Sequence, residues 1–231
     1  MNSASGQLPI LHEQLAVWLG TLLLIRAVDT IHTLGVHEII LALVPVLFMY
    51  VPVYVCHWRD LNPDDYALGL PGVRDPAWWS GLREALWVVL VIAPPFFVVY
   101  HFWQSLVFGR TPVGGLPEQA FLLPFFHLFF VAIPEEMFYR GFMQKRLNAV
   151  FEPKWNVFGV KLGWGWLLTC VLFAFGHSIV SFQWWHFAIF FPSLVFGWLR
   201  EKTGDILAGA WFHAWCNVTV AFLDAGYGIG R

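Results

Sequence analysis

Residues 119–149 read QAFLLPFFHLFFVAIPEEMFYRGFMQKRLNA, an apolar run that passes without a break into a segment holding two adjacent glutamates and an arginine. A helix rising about 1.5 Å per residue crosses the hydrocarbon core of a bilayer in about 20 mostly apolar residues, and this stretch exceeds that length. Outward from it, six further stretches approach the same length: 14–32, 37–56, 81–103, 164–180, 184–199 and 205–223. The connectors are charged or rich in Gly and Pro, with Pro63, Pro71, Gly72 and Pro76 before the third stretch and Pro112, Gly114 and Gly115 before the fourth. Lys202-Thr203-Gly204-Asp205 reads as a helix stop followed by an N-cap, Gly204 supplying the turn and Asp205 accepting from free N–H groups of the next helix. No long linker or repeat interrupts the series. The expected fold is an all-α, polytopic transmembrane bundle of about seven spanning helices, one integral membrane domain over 1–231, with the chemistry carried by 119–223.

Composition agrees. Of 231 residues 58% are apolar and only 12% charged, and there are 23 Phe and 14 Trp; mean hydropathy is +0.64. Soluble domains carry about 25% charged residues, so this chain has too few to coat a water-exposed globule. The same numbers exclude a disordered chain or a coiled coil, and a net charge of −2 with no basic stripe excludes a nucleic-acid partner. Cys56, Cys170 and Cys216 lie in or beside apolar stretches without CxxC spacing and read as packing residues. The first Lys or Arg is Arg26, so no basic n-region precedes the first apolar stretch, which is expected to remain in the mature protein.

Lys and Arg concentrate in cytoplasmic loops. With the N-terminus inside, the cytoplasmic segments hold Arg59, Arg74, Arg83, Lys145, Arg146, Lys154, Lys161, Arg200 and Lys202, against Arg110 and Arg231 outside, a bias that sets the orientation. Trp58, Trp78, Trp79, Trp164, Trp166 and Trp184 fall near helix ends and read as interfacial anchors.

Ionisable residues inside spans are costly and mark functional sites. Four groups qualify: Arg26 with Asp29, the run Pro134 to Arg140, His177, and His213 with Asn217. Glu136 and Arg140 are four apart, share a helix face and can pair. Glu135 is turned about 100° away and has to find its partner across the bundle. Pro134 removes a backbone donor and loosens the helix one residue before that acid. Arg26 and Asp29, three apart, read as a structural ion pair, the alternative being contact with a substrate's terminal carboxylate. His12, His32, His37 and His57 lie at helix ends; His101, His127 and His186 have no polar partner at helical spacing and read as packing residues. Phe125, Phe126, Phe129, Phe130, Trp211 and Trp215 read as lipid-facing aromatics, the alternative being a groove for an apolar or lipidated peptide.

Counted inward from the basic helix ends, Glu135, His177, His213 and Asn217 all fall roughly 12 to 20 Å below one membrane face. A carboxylate and a histidine at one depth can deprotonate a water, while a second histidine and an amide donate to the oxyanion formed when that water attacks a carbonyl. The chain offers no GxSxG, GxGxxG or HExxH and no Ser or Cys with a demonstrable base. Residue type alone leaves a zinc set of His177, His213 and Glu135 open, as it does a non-catalytic membrane immunity or peptide-binding partner using the same cavity.

Glu-Glu-x-x-x-Arg at Glu135, Glu136 and Arg140, Phe-x-x-x-His at Phe173 and His177, and His-x-x-x-Asn at His213 and Asn217 together resemble the three ordered motifs of the CAAX protease and bacteriocin-processing family of intramembrane glutamic endopeptidases, in its bacterial branch. Gly197 to Gly204 and Ala67-Leu68-Gly69-Leu70 are similar to that family's lead-in segments. The resemblance implies a membrane bundle, often of eight helices, and cleavage of a peptide bond near the C-terminus of a membrane-associated or lipidated protein, without a covalent intermediate or cofactor. It makes Glu135 the general base, His177 its helper, His213 and Asn217 the oxyanion site, and Glu136, Arg140 and Phe173 supports. It implies a multi-pass protein of the bacterial cytoplasmic membrane whose partners are a peptide or protein substrate and membrane lipid.

Overall fold

The structure is a computed structural model that describes residues 4–229, and the side chains of 8–229. Arg231, assigned above to the outer face, lies outside the described residues. Seven helices are found among them: α1 (Ala4–Thr33), α2 (Leu43–Trp58), α3 (Ala77–Phe102), α4 (123–150), α5 (Trp164–Val180), α6 (Phe190–Thr203) and α7 (Leu207–Gly226). They are the seven apolar stretches of the sequence, and the architecture is an all-α membrane bundle. A short hairpin, β1 (Trp155–Val157) and β2 (Val160–Leu162), joins α4 to α5.

Three segments are long and apolar enough to cross a membrane unaided: Leu8–Thr33, Glu38–Trp58 and Ala77–Val107. Their exposed faces carry Leu23, Tyr54, Leu90 and Val99, side chains suited to lipid. The sixth expected stretch, 184–199, is corrected by the structure. Its first part is a 3-10 segment, Trp184–Ile189, and the α-helix then runs 14 residues to Thr203, about 21 Å and short of a bilayer core. Gly204 ends it in the left-handed region at φ +79°, and the Asp205 carboxylate accepts from the Leu207 amide at 2.8 Å, the stop and cap that the sequence predicts.

α4 is the centre of the bundle. Every residue from Met137 to Gln144 is buried, as expected of a helix enclosed by others rather than facing lipid. α2, α5 and α6 surround this half, while α3 packs on α7 and α7 on the first half of α4. Pro134 cannot donate to the carbonyl four residues back, and its ring crowds that turn. Wider π-helical turns occupy His127–Ala132 and Met137–Gln144 on either side of Pro134, leaving four α-helical residues, Ile133–Glu136, between them. Wide turns of this kind recur at functional sites because they re-aim side chains.

The indoles do not behave alike. Trp58, Trp79, Trp164 and Trp184 are exposed, as interfacial anchors should be. Trp78 and Trp166 are half-buried and donate to protein carbonyls, Gly72 at 3.2 Å and Leu194 at 3.1 Å, so they lock elements together instead. All three cysteines are free, two of them buried in the packing.

Gly141 is where the loop before α3 meets α4. A Cβ there would stand 2.4 Å from the Tyr66 carbonyl oxygen, a rigid backbone atom just before Ala67, which closes the short 3-10 turn Pro63–Tyr66 in the left-handed region. Gly141→Ala should therefore force the loop off α4 and cost about 1–3 kcal/mol. Thermal loss of helical circular dichroism in detergent checks this; an unchanged midpoint would contradict the close approach.

Candidate active site

The two adjacent glutamates have opposite fates. Glu136 is wholly buried and its Oε1 lies 3.2 Å from Arg140 Nη1 and 3.1 Å from His213 Nδ1. The carboxylate is shared between a guanidinium one turn away and an imidazole from α7. Gly209, one turn before His213, makes room for it: a Cβ there would stand 2.9 Å from Glu136 Oε2. Arg140, also wholly buried, donates to Ser193 Oγ at 2.7 Å and lies over the rings of Phe173 at 4.2 Å and Phe196 at 5.0 Å. Ion pairing, a charge-assisted hydrogen bond and the cation–π contacts compensate part of its lost hydration, while Nε has no hydrogen-bond partner.

Glu135 keeps 14% of its side-chain surface exposed. Its Oε2 is itself buried, lies 3.9 Å from His213 Nε2, and accepts no hydrogen bond. His213 thus stands between the two carboxylates, Nδ1 committed to Glu136 and Nε2 turned to Glu135. Its ring stacks on Phe196 at 4.6 Å and 14°, with the Phe173 ring edge-on at 5.7 Å. The two phenylalanines that cover Arg140 therefore also clamp His213.

His177 is on the other side of Phe173. Its Nδ1 donates to the Phe173 carbonyl at 2.9 Å, which fixes the tautomer and leaves Nε2 as the basic nitrogen. The Phe173 ring lies 4.7 Å from His177. Asn217, one turn beyond His213 on α7, is half-buried, and its side chain makes no intramolecular hydrogen bond among the described residues. Thus Glu135, Glu136, Arg140, Phe173 and His213 form one contact group, with His177 joined to it through Phe173 and Asn217 along α7.

Glu135, His177 and His213 are not drawn together as a ligand set. The Phe173 ring is in contact with both imidazoles, and no three His, Cys, Asp or Glu side chains converge as a metal site among the described residues.

Arg26 and Asp29 pair at 3.4 Å, and the guanidinium also donates to the Val180 carbonyl, the last of α5. A cation at a helix C-terminus completes orphan carbonyls and opposes the helix dipole, so Arg26 ties α1 to the end of the helix that bears His177. Phe125, Phe126, Phe129 and Phe130 are exposed, whereas Trp211 and Trp215 are half-buried: Trp211 donates to the Trp78 carbonyl at 3.2 Å, and Trp215 packs on Phe96 and Phe212.

Four participants escape the sequence pattern. Ser193, Phe196 and Gly209 touch the charged cluster from α6 and α7 and carry no motif. His186, read from sequence as a packing residue without a polar partner, presents its ring 6.0 Å from that of His177, with Nδ1 buried and unpartnered. No helical spacing could reveal it, since it lies in the 3-10 segment beyond the end of α5. His101 likewise finds Tyr227, 126 residues away.

Compared with known proteins, residues 117–219 match the type II CAAX prenyl endopeptidase, Rce1-like, family. That span contains all three motifs. No curated protein and no solved structure matches the chain.

Removing one partner of a buried pair strands the other charge, at a cost of about 3–5 kcal/mol, whereas replacing both with apolar groups is far milder. Glu136→Ala should accordingly lower the unfolding midpoint strongly, and Glu136→Ala with Arg140→Met should recover part of the loss. Equal midpoints for the single variant and the wild type would remove the pair from the core.

Proposed function

On the premise of membership in the CAAX protease and bacteriocin-processing family, which the match over 117–219 supports, we propose that this membrane protein is a glutamic-type intramembrane endopeptidase using Glu135 as general base. The family and the apolar helices support a membrane-embedded protein hydrolase acting on peptide or protein substrates. The observation that favours Glu135 over its neighbour is access. Each has an Oε2 without a hydrogen-bond partner, but Glu136 is wholly buried with its Oε1 held by Arg140 and His213, whereas Glu135 keeps 14% of its side-chain surface exposed at the edge of the same cluster.

In this reading a water bound at Glu135 Oε2 gives up a proton to the carboxylate as its oxygen attacks the scissile carbonyl carbon. His177 Nε2, basic because Nδ1 is committed to the Phe173 carbonyl, orients that water. The charge that develops on the carbonyl oxygen receives hydrogen bonds from the Asn217 amide and from His213 Nε2, a ring held in place by the contact of its Nδ1 with Glu136. Glu135 then passes its proton to the leaving amine as the C–N bond breaks, and no covalent intermediate forms. Arg140, Ser193, Phe173 and Phe196 hold Glu136 and His213 in place, so little reorganisation is needed when charge appears.

The substrate class that fits is a membrane-associated or C-terminally lipidated protein or peptide cleaved near its C-terminus. The basic bias favours a cytoplasmic N-terminus with the near side of the site toward the cytoplasm, and the resemblance implies a bacterial inner membrane. The chemistry runs without a resident metal, the role of Lewis acid being filled by the two donors to the oxyanion.

Glu135→Gln should abolish cleavage while leaving insertion and helix content intact. Mass spectrometry of protein C-termini, from membranes of cells carrying either form, should show truncated ends only with the wild type; identical ends with both would refute the assignment. A separate check is metal content. Activity should survive dialysis against chelator, and stoichiometric zinc lost in step with activity would instead favour the His177, His213 and Glu135 set as ligands.

A further inference from the structure

The α4–α5 hairpin carries a feature that packing does not explain. Val157 pairs with Val160 across a two-residue turn in which Phe158 has φ +50° and Gly159 φ +83°. Two successive left-handed residues make a type I′ turn, a geometry that favours Asn or Asp followed by Gly and disfavours bulky side chains at the first position. Here that position holds a phenylalanine, 92% exposed.

The turn is not loose. The Asn156 side chain accepts from the Gly159 amide at 2.9 Å, Lys154 N–H donates to the Leu162 carbonyl at 2.8 Å, and the Trp198 indole of α6 donates to the Val157 carbonyl at 2.9 Å. At the base, Gly163 lies so close to Glu152 and Pro153 that a Cβ would meet their backbone at 2.9 Å. A rigid scaffold thus holds an apolar ring outward in a strained conformation, an arrangement that points to something that covers the ring.

The register gives the hairpin two faces. Val157, Val160 and Leu162 face the bundle, Val160 and Leu162 being buried; Asn156 and Lys161, paired across the strands, face outward and are exposed. Lys154, just before β1, is exposed as well, and neither lysine has an ion-pair partner among the described residues. The segment's one carboxylate, Glu152, precedes the strands. Trp155 and Trp164 meet edge to face at 5.1 Å beside them.

Depth is set by α6. Trp198 lies five residues before Thr203, so its bond to Val157 ties the hairpin to α6 about 7 Å along the axis from that helix end. Exposed Trp164 marks the headgroup boundary at the start of α5.

We propose that this hairpin is a phospholipid-binding foot: Phe158 enters the boundary between headgroups and acyl chains, and Lys154 and Lys161 bind lipid phosphates. Because it joins the helix of Glu135 to the helix of His177, the contact holds the two at one depth. The inference rests on the membrane placement and the hairpin geometry, and is independent of the proposed peptidase chemistry.

The test uses the full chain in vesicles of phosphatidylcholine and phosphatidylglycerol. A nitroxide at Phe158→Cys, with Cys56, Cys170 and Cys216 replaced by Ala, should collide readily with dissolved oxygen and weakly with an aqueous nickel chelate. Dominant nickel access would overturn the proposal. Should that background not fold, p-benzoylphenylalanine at position 158 in the otherwise unchanged chain should on illumination yield phospholipid adducts by mass spectrometry. Lys154→Glu with Lys161→Glu should lower that yield several-fold at constant helix content, and millimolar inorganic phosphate should leave it unchanged. Adducts with a second protein alone, or an unchanged yield in the double variant, would refute the lipid-binding foot.

Discussion

A wholly buried guanidinium in a bundle whose outer solvent is lipid has to find its partners within the protein. Arg140 meets that demand with Glu136 one turn back, Ser193 from α6, and the faces of Phe173 and Phe196. Each partner comes with a helix attached. Satisfying one charge therefore fixes the mutual positions of α4, α5 and α6, and through His213 on Glu136 that of α7 as well. A stranded charge costs several kcal/mol, comparable to a large part of a domain's net stability, so these helices have little freedom to rearrange independently.

The same constraint separates the two glutamates. They are neighbours in sequence, but only Glu136 points along the face that Arg140 shares. Glu135, about 100° round the helix, is left with an oxygen facing inward and no donor. The π-helical turns around Pro134 place this pair in the least regular part of α4, and Gly209 gives the carboxylate of Glu136 the space it occupies. Adjacent residues are thus treated differently by one environment: the carboxylate of Glu136 is enclosed with Arg140 and His213, and that of Glu135 keeps part of its surface open at the edge of the cluster.

Much of the fold was legible because lipid imposes a simple rule on the chain. Apolar length marked seven helices, and the Gly204–Asp205 stop and cap fell where the residues indicated. The i, i+4 spacing of Glu136 and Arg140 gave a pair that the structure contains. Legibility ended where a helix was replaced by something local: 184–189 is as apolar as a helix, yet it forms a 3-10 turn, and hydropathy does not distinguish the two. Trp78 and Trp166 misled for a related reason. An indole near a helix end reads as an anchor, and whether its N–H meets a headgroup or a carbonyl depends on which neighbour is present.

The sequence by itself determined the solvent, the helix count, the motif residues and the intrahelical pair, since each follows from composition or from spacing along one element. Only the tertiary structure decided which glutamate is enclosed with Arg140 and His213 and which keeps surface exposed, that the Phe173 ring touches both His177 and His213, and that Ser193, Phe196, Gly209 and His186 belong to the surroundings of the motif residues. Those facts depend on contacts between residues tens of positions apart on different helices. The rotation and depth of one helix against another are set by the packing of all of them, and no local period in the sequence records it.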